Sequence, residues 1–209
     1  PGKFEEINKK SLYPINPEKI KTLRDFKLVR NKKATPYGRA VSVSFLNIEE
    51  AERIRKNLNK DILDTVVSLE KFENIYITHK LRSTFELRST KLFSGEVLEA
   101  ITQPKKIDIV EPLILEFFTC ECKDYPYCDC AVKKISKKII AYRLKGYSPI
   151  EISKSFLKYN IKIYSGDVFS YLDGIVHKIE AFERVAHIFN KKRIKEIRTL
   201  KKRIEKGKL

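Results

Sequence analysis

All four cysteines of this 209-residue chain fall within eleven consecutive residues, as two C-x-C pairs. Cys120 and Cys122 form the first pair, Cys128 and Cys130 form the second, and a Pro-containing turn separates them. Four thiolates in this arrangement can converge on one point, and Zn²⁺ prefers four soft ligands in a tetrahedron. In a reducing compartment, cysteines gathered in a single turn are more typical of metal binding than of disulfides. The spacing therefore predicts a structural zinc site that has no open position for catalysis.

The C-x-C spacing is tighter than the usual spacing of zinc ligands, so two alternatives stay open. One alternative is an iron–sulfur centre, which also uses cysteine thiolates. The other is that the sulfurs are free or paired with each other, because intracellular disulfides do occur in proteins adapted to heat.

The chain carries 44 Lys and Arg against 27 Asp and Glu, which gives a formal net charge of +17. A surplus of this size attracts polyanions, so nucleic acid is the expected partner. Apolar runs stay well short of the roughly 18 residues that a membrane span needs, and a secretory signal pattern is absent. We therefore expect a cytoplasmic protein without a membrane partner. The chain contains no Met and begins Pro1-Gly2, so we interpret it as part of a longer protein.

Positive charge is densest from residue 191 to 209, where ten basic residues stand against two Glu. Isoleucines and a leucine recur there at helical spacing, which predicts a basic helix with one apolar edge. Lysines after the cysteines also repeat at three and four residues, opposite a second apolar edge. Such faces can contact phosphates and release counterions, although the C-terminal segment can also be interpreted as a frayed, solubilising end. The predicted nucleic-acid-binding residues are Lys133, Lys134, Lys137, Lys138, Lys191, Lys192, Arg193, Lys195, Arg198, Lys201, Lys202 and Arg203.

The sequence predicts no catalytic residue. It has no G-x-x-x-x-G-K-[ST] loop, so we do not expect this chain alone to hydrolyse ATP. His79, His177 and His187 lie far from the cysteines and lack the spacing of a two-His metal site. No G-x-S-x-G nucleophile elbow is present.

The elements that must position these groups are predicted to form two small lobes, residues 1–104 and 105–209, with Pro104 at the boundary. In the first lobe, a short helix with Pro17 in its first turn precedes a strand, the basic turn 31–33 and a second strand. This order is typical of the wing of a winged helix. Asn47 is expected to cap one helix and Asp61 to begin another.

In the second lobe, the helix after the cysteines is expected to end at Gly146. Ser148, Pro149 and Glu151 form a predicted capping box for the next helix, and a longer helix follows Ser165. Two closely coupled helices after a glycine are typical of a helix-turn-helix, although they can also simply pack together. We therefore predict a mainly α-helical fold with a small β wing, a four-cysteine metal turn and a helix-turn-helix-like C-terminal part.

Two stretches of the chain resemble superfamily II helicases of the Ski type. Residues 23–46 are similar to the end of their winged-helix domain, where a wing strand runs into an A-T-x-x-G-R-x-x-S segment. Residues 120–156 and 163–189 resemble the uncharacterised C-terminal domain of an archaeal branch of these helicases. The residues that match the first segment are Ala34, Thr35, Gly38, Arg39, Ala40 and Ser42.

The resemblance implies the C-terminal, non-motor region of an ATP-dependent DNA or RNA helicase. In that family two motor domains precede this region, the winged helix braces them, and the helical part contacts the translocating strand. The implied partners are single-stranded or partly duplex RNA or DNA, and helicase motor domains in cis or in trans. Only 22 residues precede Leu23, so the winged helix would be incomplete.

The residues leave two other functions open. The chain can be interpreted as a stand-alone helix-turn-helix DNA-binding regulator, which would usually be a dimer. It can also be interpreted as a protein-interaction module that docks an RNA-processing partner through its basic helices.

Overall fold

The computed structural model describes residues 16–31, 33–103 and 107–207. Within these ranges the chain is mainly α-helical and contains two short two-stranded sheets, which confirms the predicted fold class. The chain divides into two compact units. The first takes in residues up to Leu69 together with 177–201, and the second takes in 70–176 and the residues from Lys202 onward. No helix in the described ranges is both long and apolar enough to span a membrane.

The compact units differ from the predicted lobes of residues 1–104 and 105–209. The reason is that the last two long helices each contribute residues to both units. Pro104 itself lies outside the described residues, so the boundary there stays a prediction.

Side-chain caps stabilise the N-termini of several helices of the first unit. The side chain of Asn16 accepts a hydrogen bond from the Glu18 N–H (2.8 Å). Asn47 and Glu50 form a reciprocal capping box, which confirms the predicted cap. The helices of this unit are α1 (Pro17–Asp25), α2 (Pro36–Val43), α3 (Ile48–Lys56) and α4 (Ile62–Leu69), and its strands are β1 (Val29–Arg30) and β2 (Lys33–Ala34).

The predicted wing strands pair as an antiparallel hairpin, with Val29 opposite Ala34. The second strand is only two residues long, because Thr35 caps α2 and Pro36 occupies its first position. Gly38 lies directly against the hairpin, where an added Cβ would stand 2.0 Å from the carbonyl oxygen of Leu28. A residue without a side chain is therefore required for α2 to approach β1 this closely. Lys32 of the basic turn lies outside the described residues.

In the second unit, Tyr76 and Ile77 form a short strand that pairs with a segment much later in the chain. Tyr76 lies opposite Lys162, and Ile77 lies opposite Ile161. Gly146 has a positive φ of 94° just after its helix, and Ser148 and Glu151 form a capping box, as predicted. The helices are α5 (His79–Thr84), α6 (Gly95–Thr102), α7 (Ile107–Phe117), α8 (Cys130–Leu144) and α9 (Pro149–Ser155), and the strands are β3 (Tyr76–Ile77) and β4 (Ile161–Lys162).

Aromatic side chains form the centre of the second unit. Phe117 stacks on Phe156 with ring centroids 6.1 Å apart, and Tyr159 meets Phe117 edge-on at 5.0 Å. Ile135 and Ile139 lie on the buried face of α8. The buried Ser136 accepts a hydrogen bond from the Phe72 N–H (3.0 Å), which attaches the segment before β3 to α8.

Two helices complete the fold, α10 (Ser165–Phe189) and α11 (Ile194–Lys206). α9 and α10 confirm the two closely coupled helices after Gly146. α11 confirms the predicted basic helix. The predicted apolar edge is confirmed as well, because Ile197 and Ile204 are buried.

The aromatic cluster yields a stability prediction. Phe156→Ala should lower the free energy of unfolding by about 3–5 kcal/mol, because it removes a fully buried ring and leaves a cavity. The neighbouring Leu157 is half exposed, so Leu157→Ala should change stability by no more than about 0.5 kcal/mol. Urea unfolding followed by circular dichroism checks both variants. Equal midpoints for the two would contradict the assignment of the core.

Candidate metal centre

The four predicted ligands converge where the segment after α7 enters α8. Their Sγ atoms all lie within 4.8 Å of one another. Cys120 and Cys128 stand 3.4 Å apart, Cys122 and Cys130 stand 3.2 Å apart, and all four are free thiols. Sulfurs about 3.8 Å apart surround a tetrahedral ion at metal–sulfur distances of about 2.3 Å. The cluster can therefore hold one metal ion after a modest adjustment.

Backbone hydrogen bonds fold the turn that brings the two pairs together. The Tyr125 N–H donates to the carbonyl oxygen of Cys122 (3.1 Å), and the Tyr127 N–H donates to that of Asp124 (2.6 Å). Cys130 is the first residue of α8, so its sulfur sits at the positive end of a 15-residue helix. That position favours the thiolate form, which is the form that binds metals.

Two lysines fix the turn to the rest of the second unit. Lys134 donates to the carbonyl oxygen and the hydroxyl of Thr119, at 3.0 and 2.6 Å. Lys71 forms an ion pair with Asp129, and its hydrogen bond holds the pKa of that carboxyl below the usual value. Local sequence patterns do not reveal the contact between Lys71 and Asp129, because the two residues are 58 positions apart.

Despite the favourable helix terminus, the neighbouring thiols raise the pKa of Cys130 when no cation is bound. The hydrogen bond from Cys122 is the main cause that raises the pKa of Cys130, and the hydrogen bond from Cys128 adds to it. A bound cation reverses this preference, since it removes the protons from its thiol ligands. The cluster is thus arranged to favour an ion over four separate charges.

The predicted basic residues of α8 have different surroundings. Lys134 is held by Thr119, and Lys138 forms an ion pair with Glu116. Lys133 is half buried, whereas Lys137 is exposed. Two of these four lysines, Lys134 and Lys138, therefore connect α8 to the cysteine segment and to α7.

The predicted basic residues around α11 divide in the same way. Arg193 donates to the carbonyl oxygen of Leu58 (2.8 Å), and Arg203 reaches that of Leu144 (3.5 Å). Arg198 and Lys201 form ion pairs with glutamates of α10. These four side chains connect α11 and the turn before it to neighbouring segments. The exposed lysines of this set are Lys191, Lys192, Lys195 and Lys202, and Arg198 and Arg203 are exposed as well.

Comparison with known proteins gives two matches. The model of a family of unknown function (DUF5814) matches residues 70–204, well over half of the chain. The Probable ATP-dependent helicase MJ1401 of Methanocaldococcus jannaschii is 31% identical over 193 residues. That match covers 84% of this chain but 22% of the relative, so the chain spans about a fifth of the relative's length.

The geometry predicts that each chain binds one metal ion through the four sulfurs. Cys128→Ser should lose the ion and lower the melting temperature markedly, since a metal-closed turn is stabilised by its ion. Tyr127→Phe keeps all four thiols in the same turn and should match the parent chain. Elemental analysis and thermal unfolding check the three proteins. Protein that is purified without chelator, lacks stoichiometric metal and has paired sulfurs would contradict the site.

Proposed function

The chain belongs to the family of unknown function DUF5814, and we propose that it is the nucleic-acid-binding accessory region of an ATP-dependent superfamily II helicase. In this role it contacts a single strand of RNA or DNA in the cytoplasm. The motor domains are supplied by another part of a longer protein or by a partner chain. ATP hydrolysis belongs to those motor domains, because this sequence has no phosphate-binding loop.

One observation carries the proposal: exposed lysines cluster around α11 while neighbouring basic groups are engaged in ion pairs. Lys191, Lys192 and Lys195 are exposed within one turn of the chain, next to the paired Arg193 and Arg198. Glutamates therefore neutralise the two arginines, whereas the three lysines remain exposed to solvent. Exposed ammonium groups on a chain of net charge +17 favour phosphate contacts.

The similarity to a named helicase supports the helicase part of the proposal. The wing-like segment forms the β1–β2 hairpin followed by α2. Gly38 packs directly against this hairpin, which explains why a glycine occupies the position. We propose that this part completes a winged helix together with segments of the longer protein.

We propose zinc as the metal of the four-cysteine site, because four cysteine thiolates are its usual structural ligands. With all four positions filled, the ion stabilises the start of α8 and takes no part in a reaction. Protein purified without chelator should contain zinc at one equivalent and neither iron nor inorganic sulfide. Stoichiometric iron and sulfide would instead establish an iron–sulfur centre.

The helix-turn-helix regulator is less well supported. α10 is 25 residues long, and its stripe of Val168, Ile175, Ile179 and Phe182 is buried. A recognition helix must offer side chains of its first turns to the groove. α10 is also longer than a typical recognition helix, which favours the accessory region.

The basic segment provides the test of nucleic-acid binding. Ile197 and Ile204 are buried, so deleting the segment would disturb the core; charge-removing substitutions are cleaner. Binding of a labelled 20-nucleotide single strand is measured by fluorescence anisotropy at several salt concentrations. The slope of log affinity against log salt should fall by about 0.7 for each phosphate that the variant no longer neutralises. The test variant changes three exposed lysines of the first unit to Gln: Lys191, Lys192 and Lys195.

A matched control removes the same number of charges elsewhere. It should keep nearly the parent slope, because the altered lysines lie outside the proposed contact surface. Equal slopes for the two variants would mean that the basic segment is not the binding surface. The control changes Lys80, Lys91 and Lys145 to Gln, all of which are exposed.

A further inference from the structure

The first unit contains a cleft of about 460 Å³, and two of its lining residues, Ile188 and Phe189, directly precede the basic segment in the chain. This volume is in the range of small-ligand sites, roughly 300–1,000 Å³. Two phenylalanines, three basic residues and the buried Tyr37 contribute to its walls. The lining residues that matter here are Phe26, Lys27, Tyr37, Arg55, Lys56 and Phe189.

Two aromatic rings in this cleft remain partly open to solvent. Phe26 is 39% exposed and Phe189 is 50% exposed. Phe189 is braced edge-on against Tyr37, with ring centroids 5.2 Å apart. A braced ring with an accessible face is the platform on which unpaired bases stack in single-strand-binding proteins.

A carboxylate holds the guanidinium of Arg55 in a fixed plane. Arg55 Nε donates to both oxygens of Glu52, at 2.9 and 3.0 Å, and the Tyr37 hydroxyl donates to the same carboxylate at 3.1 Å. Glu52 is buried, whereas Arg55 is exposed. The pair leaves a rigid planar cation at the cleft, and such planes stack on bases as aromatic rings do.

The remaining charges at the cleft favour an anionic ligand. Lys27 and Lys56 are exposed and outnumber the one other acidic residue of the lining, Asp25. Lys27 has a φ of 58° because it ends α1 in a left-handed turn, which the hydrogen bond from the Leu28 N–H to the carbonyl oxygen of Leu23 closes. Lys191 and Lys192 follow Phe189 by two and three residues and are exposed.

We propose that this cleft binds one unpaired nucleobase of a single strand. The base stacks on Phe189, with Phe26 and the Arg55 guanidinium at its sides, and the adjoining phosphates contact lysines at the rim. This inference rests on the proposed nucleic-acid binding and adds to it a base-dependent component. Stacking tolerates any base, because every base has a flat face, so the site does not depend on sequence.

The test separates base stacking from phosphate contacts. The full chain and a Phe26→Leu, Phe189→Leu double variant are each titrated with a 20-nucleotide oligothymidylate and with a strand of equal length in which every sugar lacks its base. The double variant should bind the intact strand about tenfold more weakly, the loss expected for one stacked base. It should bind the base-free strand as the parent does, and its salt slope should be unchanged.

Phe45→Leu is the matched control, since Phe45 is 93% exposed in the same unit and does not line the cleft. This control should bind both strands as the parent does. Leucine keeps apolar bulk at all three positions, and thermal unfolding verifies that each variant is folded.

The outcomes distinguish the two proposals. If the parent chain binds the intact strand in a salt-dependent way and the folded double variant binds it equally well, the cleft proposal is overturned and the proposed function stands. A loss of affinity that is equal for the intact and base-free strands also overturns base stacking. If the parent chain binds no strand at any salt concentration, both proposals are overturned.

Discussion

Forty-four basic side chains repel one another in a chain with 27 acidic ones, and the placement of those few carboxylates shapes the fold. In the first unit, Glu50 pairs with Lys178 at 2.7 Å and Glu183 pairs with Arg198 at 2.7 Å. Glu180 pairs with Lys201 at 3.2 Å. These half-buried carboxylates join α10 to α3 and to α11 and neutralise the cations at those helix contacts. The surplus charge is consequently left on exposed lysines, where a polyanion can neutralise it.

In the second unit, the electrostatic constraint comes from crowded thiols at the cysteine turn and not from crowded cations. Four sulfurs within 4.8 Å of one another cannot all ionise without a cation. The turn is short, polar and mostly exposed, so apolar burial contributes little to holding it. Lys71, Lys134 and the first turn of α8 supply positive charge around it. An ion bound at its centre would strengthen the link between α7 and α8, the helices next to the aromatic core around Phe117 and Phe156.

Features that depend on neighbours in the sequence could be predicted, and features that depend on distant contacts could not. The caps at Asn47 and Ser148 and the clustering of the cysteines follow from local spacing. The helix α2 occupies the segment after the basic turn, where β-prone residues predict a strand. The Thr35 cap and Pro36 at the first helical position outweigh that propensity. The pairing of Ile77 with Ile161, the ion pair of Lys71 with Asp129 and the cleft at Phe189 join residues far apart in sequence. No local pattern encodes them.

Binding of a single strand at the exposed basic surface of the first unit is central to the proposed function. Amide chemical shifts of the isotopically labelled chain, followed during titration with a short single strand, test this binding most directly. We expect the largest changes from residue 188 to 195 and around Phe26, Lys27 and Arg55, and we expect added salt to reverse them. Shifts that stay constant at equimolar strand, or that change only around α5 and α6, would contradict binding at this surface.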